Sequence, residues 1–544
     1  MYDQSNVEGD SSSLKFDNIH CIHHNLHRSG VATSNFNKFL SKYINFIGLI
    51  QEPDVYKNSV RGFSNSFYRI YAGSITSRPR AAIVVNKAVA SHILPLAAFN
   101  DRDLSAIIYS DPSNLNTKLV FASYYLHEDL PIPHPKMRKL VKHCKDNKLP
   151  LILGGDANAH HYLWNSTDIN DRGDELYSFL MSNNLHSCNI GHSPTFITRS
   201  RQEMLDVTIT NSSAHPLVRD WKVSVISTTS DHRIVEFNVT AHMSITKSYR
   251  NIANTNWDLF NKLLSESLNP ISGSYSAREF HKLDSIISDM NSSIIKAYEE
   301  ACPLTYTKFK HTASWWTDEL NFKRRKLRRS HHKAIQSKSN QSWEEYSILL
   351  KEYKNDISAA KRAGWTNFCT EIDSLSKTAK LTKILKSDSF HNISSVKKVD
   401  GTMSNSQLDT LQTIVEDLVP GVRAEVPRES PVGDYPPDSC HSHNSAYDIF
   451  SMSRMDRAIS FFEPFKSAGP DNIRPAHLLK GWEVLKHNLQ HIFIISFLAG
   501  RTPAEWTHSK GVLIPKPGKE TYAESKSYRI ITVSYTHLTL PTKA

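Results

Sequence analysis

Short apolar runs alternate with polar loops from about residue 17 to about residue 240: INFIGLIQEP, RAAIVVNK, LSAIIYSDPSN, KLVFASYYLHE, LPLILGGDANA, LDVTITNS and VSVISTTSDHRIVEFNV. Each is strand-length, rich in Val, Ile and Tyr, and bounded by Gly, Pro, Asn or Asp, which suits a pleated, half-buried surface. Between some of them, NFNKFLSKY and DELYSFLMSNN space apolar residues three and four apart, as one face of a helix requires. Strand runs with interspersed helices predict an α/β fold in which sheets pack on each other and helices cover them.

Beyond about residue 250 the periodicity becomes helical and heavily charged, as in AREFHKLDSIISDMNSSIIKAYEEA and SWEEYSILLKEYKNDISAAKRAGWTNFCTEIDSL. Between these segments, Trp315 and Trp316 precede a basic cluster that contains Lys323, Arg324 and Arg325. Cations beside aromatic rings suit a nucleic-acid backbone with base stacking. At helical spacing the same tryptophans equally suit anchoring a helix to a core. Residues 400–445 are rich in Pro, Ser and Asp and read as a linker. The expected divisions are a disordered tail (1–16), the α/β domain (17–240), a basic helical linker (241–399), a flexible linker (400–445), a further folded piece (446–533) and an unrelated tail (534–544). Several domains are the natural outcome for 544 residues, too many for one core.

Charge sharpens this division. Residues 1–240 hold 24 Lys+Arg against 22 Asp+Glu, a net of +2; subtraction from the totals of 65 and 54 leaves 41 against 32, a net of +9, for residues 241–544. A near-neutral front half is compatible with an enzyme carrying an acidic metal site, and a cationic back half favours a polyanion such as nucleic acid. The six cysteines form no Cys-x-x-Cys pair, so neither a disulfide framework nor a zinc knuckle is supported and a reducing compartment is expected. The N-terminal residues lack an apolar signal core, and no apolar run nears the roughly 20 residues that span a bilayer. Secretion and a membrane partner are therefore not expected.

Three local signals carry candidate chemistry. In LPLILGGDANAHHYLWNS an apolar run ends in two glycines and then presents Asp156 and Asn158. Alternate residues of an extended segment face the same way, so a carboxylate able to deprotonate water and an amide able to fix it can share one site. Asp-x-Asn after a strand is also an ordinary turn. In IGLIQEPDVY, Glu52 stands at a strand terminus, where one carboxylate with a second acid suffices for a hard cation. In ISTTSDHRIVEFNV, Asp231 and His232 stand just before a strand, and a histidine there needs an orienting partner such as Asp206. Each signal alone is weak; as a set they place acidic or amide residues at the ends of four strand-like runs.

That set carries a resemblance. NLHRSGVAT, IGLIQEP, SRPRAAIVV, ASYYLHE, LILGGDANAHHYLW, RGDELYSFLMSNNL, SPTFITR, LDVTITN and SDHRIVEF resemble, in order, the endonuclease/exonuclease/phosphatase superfamily. GDANAHHYLW with SPTF and SDH is similar, more narrowly, to the apurinic-type endonuclease of Jockey-like non-LTR retrotransposons. The resemblance implies a four-layer α/β sandwich and a DNA endonuclease dependent on Mg²⁺ (or Mn²⁺), which nicks one strand and leaves a 3′-hydroxyl that primes copying of the element's RNA. It implies that Glu52 holds the metal, with support from Asn25 and Asp231. It implies that Asp156 activates water, that Asn158 positions the water or the scissile phosphate, and that His232, paired with Asp206, stabilises charge on the phosphate. Asp231 would also assist the leaving group, and Tyr125 would contact phosphate. The proline usually found soon after that tyrosine is His127 here, which leaves Tyr124 as the alternative. Target DNA and element RNA are the implied partners; no small-molecule substrate is expected.

FKSAGPDNIRPAHLL, LAGRTPAEWTHSKGVLIPKPGK and SKSYRIITV resemble the opening motifs of a retroelement reverse transcriptase, an incomplete α+β fingers region. That resemblance places Lys516, Lys519 and Arg529 against template or incoming nucleotide. The usual proline after the arginine is Ile530, the Tyr/Phe-x-Asp-Asp motif is absent, and SYTHLTLPTKA follows no family pattern. An endonuclease followed by a truncated, inactive polymerase is the resulting expectation, with apolar faces such as HIFIISFLAG left uncovered and a nuclear and/or cytoplasmic location. Two rivals are a host-type abasic-site repair endonuclease and a non-catalytic nucleic-acid-binding relic.

Overall fold

In chain order the α/β part runs β1 (Ser13–Asn25), α1 (Gly30–Leu40), β2 (Phe46–Gln51), a small β3–β4 hairpin (Val55–Tyr56 and Ser59–Val60), β5 (Tyr68–Ala72), β6 (Ala81–Asn86), β7 (Ile93–Pro95), β8 (Leu104–Asp111) and β9 (Asn114–Tyr125). It continues through α2 (Pro135–Asp146), β10 (Leu151–Asp156), α3 (Asp171–Ser182), β11 (Leu185–Ser187), a β12–β13 hairpin (Phe196–Ile197 and Gln202–Glu203), β14 (Asp206–Asn211), β15 (Val218–Val223) and β16 (Val235–Thr246). The computed structural model describes residues 13–73, 77–111, 114–246, 248–268, 281–306, 313–373, 378–379, 381–382, 393–419, 443–500, 502–519 and 521–533. Two six-stranded mixed sheets result, ordered β15-β16-β1-β2-β6-β5 and β11-β14-β10-β9-β8-β7.

The period of two in the sequence decides the layering. On β2, Ile47 and Leu49 enter the core between the sheets, while Phe46 and Ile50 pack with Phe36 and Phe39 of α1. On β6, Ile83 and Val85 face the inter-sheet core and Ala82 and Val84 face the α1 side. Met137 and Leu140 of α2, with Leu176 and Leu180 of α3, join the inner cluster from the other sheet. Burying each such side chain contributes about 1.5–3 kcal/mol. The product is the expected four-layer α/β sandwich. Its close approach depends on the glycine pair before Asp156: a Cβ at Gly154 would stand 2.8 Å from Leu49 of the facing sheet, and one at Gly155 1.9 Å from the Tyr124 carbonyl oxygen.

The rest of the chain divides otherwise than expected. One compact unit comprises Met1–Thr246, Lys308–Ile414 and Pro515–Ser527; a second comprises Lys247–Thr307, Val415–Ile514 and Tyr528–Ala544. The expected linker 241–399 is therefore split. Its first helices, α4 (Trp257–Ser267) and α5 (Leu283–Ala301), share a core with Met452–Ser460 and Trp482–Leu498 in the second unit, where Ile492, Phe493, Ile494 and Ile495 are buried rather than uncovered. The apolar stripes of α4 and α5 needed a partner surface and found it two hundred residues away. Lys510–Pro515 and Tyr528–Val533 form a two-stranded ribbon.

The second half of the linker, α6 (Asp318–Ser337) and α7 (Asn340–Thr370), is a helical hairpin of the first unit. Within the expected flexible linker, Gln407–Leu418 is helical, and just before it Ser394 and Ser395 donate to the Pro95 carbonyl at 2.8 and 2.9 Å. Strand β1 begins at Ser13, opposite Thr246, inside the expected tail. The remaining tail residues 1–12, linker residues 420–442 and the segment 534–544 lie outside the described residues.

Candidate active site

Parallel neighbours finish together, and that brings the expected residues to one end of the sheets. Strands β1 and β2 end at the register partners Asn25 and Gln51, with Glu52 next. Strands β9 and β10 end at the register partners Tyr125 and Asp156. Strand β14 is antiparallel to β10 and starts where β10 stops, which sets Asp206 opposite Asp156. Strand β16 is antiparallel to β1, with Val235 opposite His23, so His232 precedes it at the same end.

Asp156, Asp206, His232 and Asn25 form one connected, buried network. His232 Nδ1 lies 2.8 Å from Asp206 Oδ2, and its Nε2 lies 3.7 Å from Asp156 Oδ2. Asn25 Nδ2 donates to Asp156 Oδ2 at 2.9 Å, and the Asn158 backbone N–H donates to Oδ1 at 3.0 Å. Ser230 Oγ donates to the Asn25 carbonyl at 2.7 Å and accepts from the His232 N–H at 3.2 Å. Thr195 Oγ1 accepts from the Asp206 N–H at 3.0 Å. Only 2%, 1% and 6% of Asp156, Asp206 and His232 is exposed, so these charges interact with little help or screening from water.

Burial sets the protonation states apart. It opposes charge on His232, but Asp206 and Asp156 outweigh it and raise the imidazole to about 9. Burial raises the Asp156 carboxyl to about 6, with Asp206 adding to the rise and His232 opposing it. For Asp206, burial is overcome by the His232 charge and hydrogen bond, and the carboxyl is held below its ordinary range. Near neutral pH the site thus holds an imidazolium, a permanent carboxylate, and a second carboxylate poised to take a proton.

Tyr125 faces this site. Burial, then the charges of Glu52 and Asp156, push its phenol up to about 12, and its hydroxyl also bonds the Asn158 side chain. Tyr124 is fully buried and donates to the Val207 carbonyl at 2.8 Å, which removes it from consideration. Glu52 has a positive φ of 43° and accepts from Arg28 Nη2 at 2.6 Å. The charges of both Glu52 and Asp156 are felt at this phenol, and the Glu52 carboxylate is the kind of oxygen donor a hard cation such as Mg²⁺ or Mn²⁺ takes alongside its waters.

Three of the expected residues have partners of their own within the fold. Asn25, expected at the metal, turns its amide nitrogen to Asp156 while its oxygen accepts from the His27 N–H at 2.8 Å. The reverse orientation would set oxygen against carboxylate and amine against N–H, so Asn25 is an orienter of Asp156. Asp231 points outward, half exposed, and lies 3.5 Å from His27 Nδ1; its charge still helps raise His232. Asn158, at a φ of 43°, donates its amide to the Leu126 carbonyl at 3.1 Å, which fixes it in the site wall.

The expected nucleic-acid cations are not brought to this site. Lys323 pairs with Asp356 at 2.8 Å and Glu319 at 3.1 Å. The Arg324 guanidinium lies 5.3 Å from the Trp316 ring, and Trp316 and Leu320 pack with Tyr353 of α7 in the core of the α6–α7 hairpin. The tryptophan pair is therefore an anchor for helices. Arg325 is exposed. Lys516 donates to the Lys526 carbonyl at 2.9 Å, and Lys519 and Arg529 are exposed.

Other residues matter that local reading passed over. Arg28 lies inside NLHRSGVAT and pairs with Glu52. Arg172, inside RGDELYSFLMSNNL, donates to the carbonyls of Asn158, Glu128, Leu130, Leu126 and His127 at 2.7–3.3 Å and so gathers the loops after β9 and β10. His160, Asp168 and Glu203 are close enough to share a cation. Arg201 adds a cation on the cluster's other side, 3.2 Å from His160 Nε2 and within 3.5–3.8 Å of both carboxylates. The cluster ties the Asn158 loop to the β12–β13 hairpin.

Residues 119–236 match the family described as endonuclease-reverse transcriptase. Over 542 residues the chain is 22% identical to the putative 115 kDa protein in type-1 retrotransposable element R1DM of Drosophila melanogaster, an alignment covering 93% of this chain and 50% of that protein. The chain thus spans about half the length of that curated relative. Among solved structures, the endonuclease domain of TRAS1, a telomere-specific non-LTR retrotransposon, is 26% identical, covers 41% of this chain and 99% of its own, and has a TM-score of 0.35. AP endonuclease LMAP from Leishmania major is 14% identical over 42% of this chain and 89% of its own, with a TM-score of 0.34.

Proposed function

We infer that this chain, a non-LTR retrotransposon protein whose front part is an endonuclease of the endonuclease/exonuclease/phosphatase type, cuts one strand of target DNA by hydrolysis and leaves a 3′-hydroxyl that primes copying of element RNA. The observation that carries the reading is the buried Asp156–His232–Asp206 arrangement, in which a poised carboxylate and an imidazolium stand 3.7 Å apart. Asp156, oriented by Asn25 and the Asn158 N–H, accepts the proton of the attacking water. His232 neutralises charge as it grows on the phosphoryl oxygens while the bond to the 3′ oxygen breaks and that oxygen takes a proton from solvent water, and Asp206 keeps the imidazole charged and aimed. Tyr125, protonated at neutral pH, supplies a neutral donor. Glu52 would hold Mg²⁺ or Mn²⁺, which when bound supplies Lewis-acid stabilisation of the phosphate. Such chemistry requires access to DNA, in keeping with a nuclear and/or cytoplasmic location.

Nicking of supercoiled plasmid by the full chain, with Mg²⁺ or EDTA and with Asp156→Ala and His232→Ala, tests this reading. Metal-dependent nicking lost in both variants supports it. Binding without cleavage by a folded wild type would instead favour a nucleic-acid-binding relic, and strong preference for abasic over intact duplex a repair-type enzyme.

A further inference from the structure

We propose that the α6–α7 hairpin is a working part of the endonuclease, a brace that holds the loops carrying Asn25 and His232 in their reactive positions; the proposal rests on the nuclease reading above. Two side-chain links run from α7. Tyr353, 1% exposed, donates from its hydroxyl to Asn35 Oδ1 at 2.8 Å. Asn35, equally buried in α1, passes the contact on by donating to the Thr228 carbonyl at 3.0 Å. Lys361 Nζ donates to the Gly30 carbonyl at 3.2 Å, at the loop that leaves Asn25 for α1. From α6, Arg328 Nε donates to the Ser227 carbonyl at 3.2 Å. Val31 of α1 packs on the hairpin's core of Trp316, Leu320, Tyr353 and Ile357, so the docking is apolar as well as polar.

What the brace holds is a strained loop. Between Ser227 and His232, Thr229 has a φ of 77°, a left-handed conformation that a β-branched residue adopts only under constraint. Its hydroxyl is buried without a hydrogen-bond partner. The next residue is Ser230, whose hydroxyl joins the Asn25 carbonyl to the His232 N–H. Strain of about 1–3 kcal/mol persists only where surroundings over-determine it. Here three of the constraints, at Ser227, Thr228 and Asn35, come from or through residues beyond position 313. Tyr353 and Arg328 touch no reacting group; they are positioning residues acting through Asn35, Thr228 and Ser227.

The test compares full-length wild type with Tyr353→Phe, which removes one hydroxyl, and Arg328→Gln. Amide exchange over residues 224–234 is measured together with kcat and KM for plasmid nicking. The expected result is faster exchange in that segment, unchanged exchange in β10 and β14, and a fall in kcat of about tenfold with KM held within about twofold. Unchanged exchange and kcat in both variants overturns the proposal. So does a raised KM at constant kcat, which would make the hairpin a DNA contact. If wild type fails to nick, the nuclease reading fails, and the exchange data still decide whether the brace exists.

Discussion

His232 and Asp206 share a hydrogen bond of 2.8 Å at the bottom of a site where neither side chain meets bulk water. The pairing keeps a proton on His232, since burial alone would strip it. Asp156, directly across the ladder from Asp206, lacks so close a partner and rises to about 6. One pair of neighbouring strands thereby supplies a fixed anion and a titrating one.

The pH profile of nicking follows from these states. Asp156 must be ionised to accept a proton, so activity grows as pH rises through about 6; His232 must be protonated, so activity falls as pH rises through about 9. Single-turnover rates between pH 5 and 10 should give a bell. In Asp206→Asn the alkaline limb should move to lower pH, and the rate at pH 8 should drop about 10²-fold. An unchanged alkaline limb would mean that Asp206 does not hold the proton on His232.

Removing the Tyr125 hydroxyl tests the neutral donor. Its phenol stays protonated throughout the working range, so Tyr125→Phe should lower kcat by about tenfold, the worth of one hydrogen bond of roughly 1.4 kcal/mol, and leave both limbs of the pH profile in place. A shift of either limb would point to proton transfer by the phenol.

Gly155→Ala should be a folding lesion. The added Cβ would sit 1.9 Å from the Tyr124 carbonyl oxygen and 2.9 Å from its ring, atoms that cannot move without parting β9 from β10. A loss of about 3 kcal/mol or more is expected, seen as a fall of several degrees in the first thermal transition of the full chain. A silent substitution would show that the strands separate more easily than their packing suggests.

Acid should destabilise the sandwich through His23 and His24. Both are fully buried, and burial lowers them to about 4 and about 3, against an ordinary value of 6.5. Between those limits the unfolded chain binds more protons than the folded one, so stability falls as pH falls from about 6.5 toward 4. Each group contributes up to about 1.4 kcal/mol per pH unit. Melting temperatures of wild type and His24→Gln over pH 4–7 would measure it; an identical slope in the variant would clear His24 of the effect.

Much of the site was legible because it obeys local rules. The short apolar runs marked β2, β6, β10 and β14, and the parallel pairs β1–β2 and β9–β10 each finish at register partners, which brings Glu52 next to one strand end and Tyr125 and Asp156 to the other. The choice between Tyr124 and Tyr125 could not be made locally: alternate residues face opposite sides, and only the packed partner sheet shows which side is inside.

The residues by themselves determined the layered sandwich, the strand-end chemistry and the amphipathic character of the later helices, since each follows from spacing along a few turns or strands. Tertiary structure alone decided which partners those groups meet. Asn25 serves Asp156 across 131 positions, Arg28 takes Glu52, Lys323 meets Asp356 and Arg324 meets Trp316 within their own hairpin, and Tyr353 reaches Asn35 across 318 positions. A helix pattern states that one face must be covered and is silent about by what. The same stripe that read as a linker is satisfied by α1 in one half and by the helices beyond residue 443 in the other, because apolar burial is non-directional and goes to whichever surface the folded chain brings near.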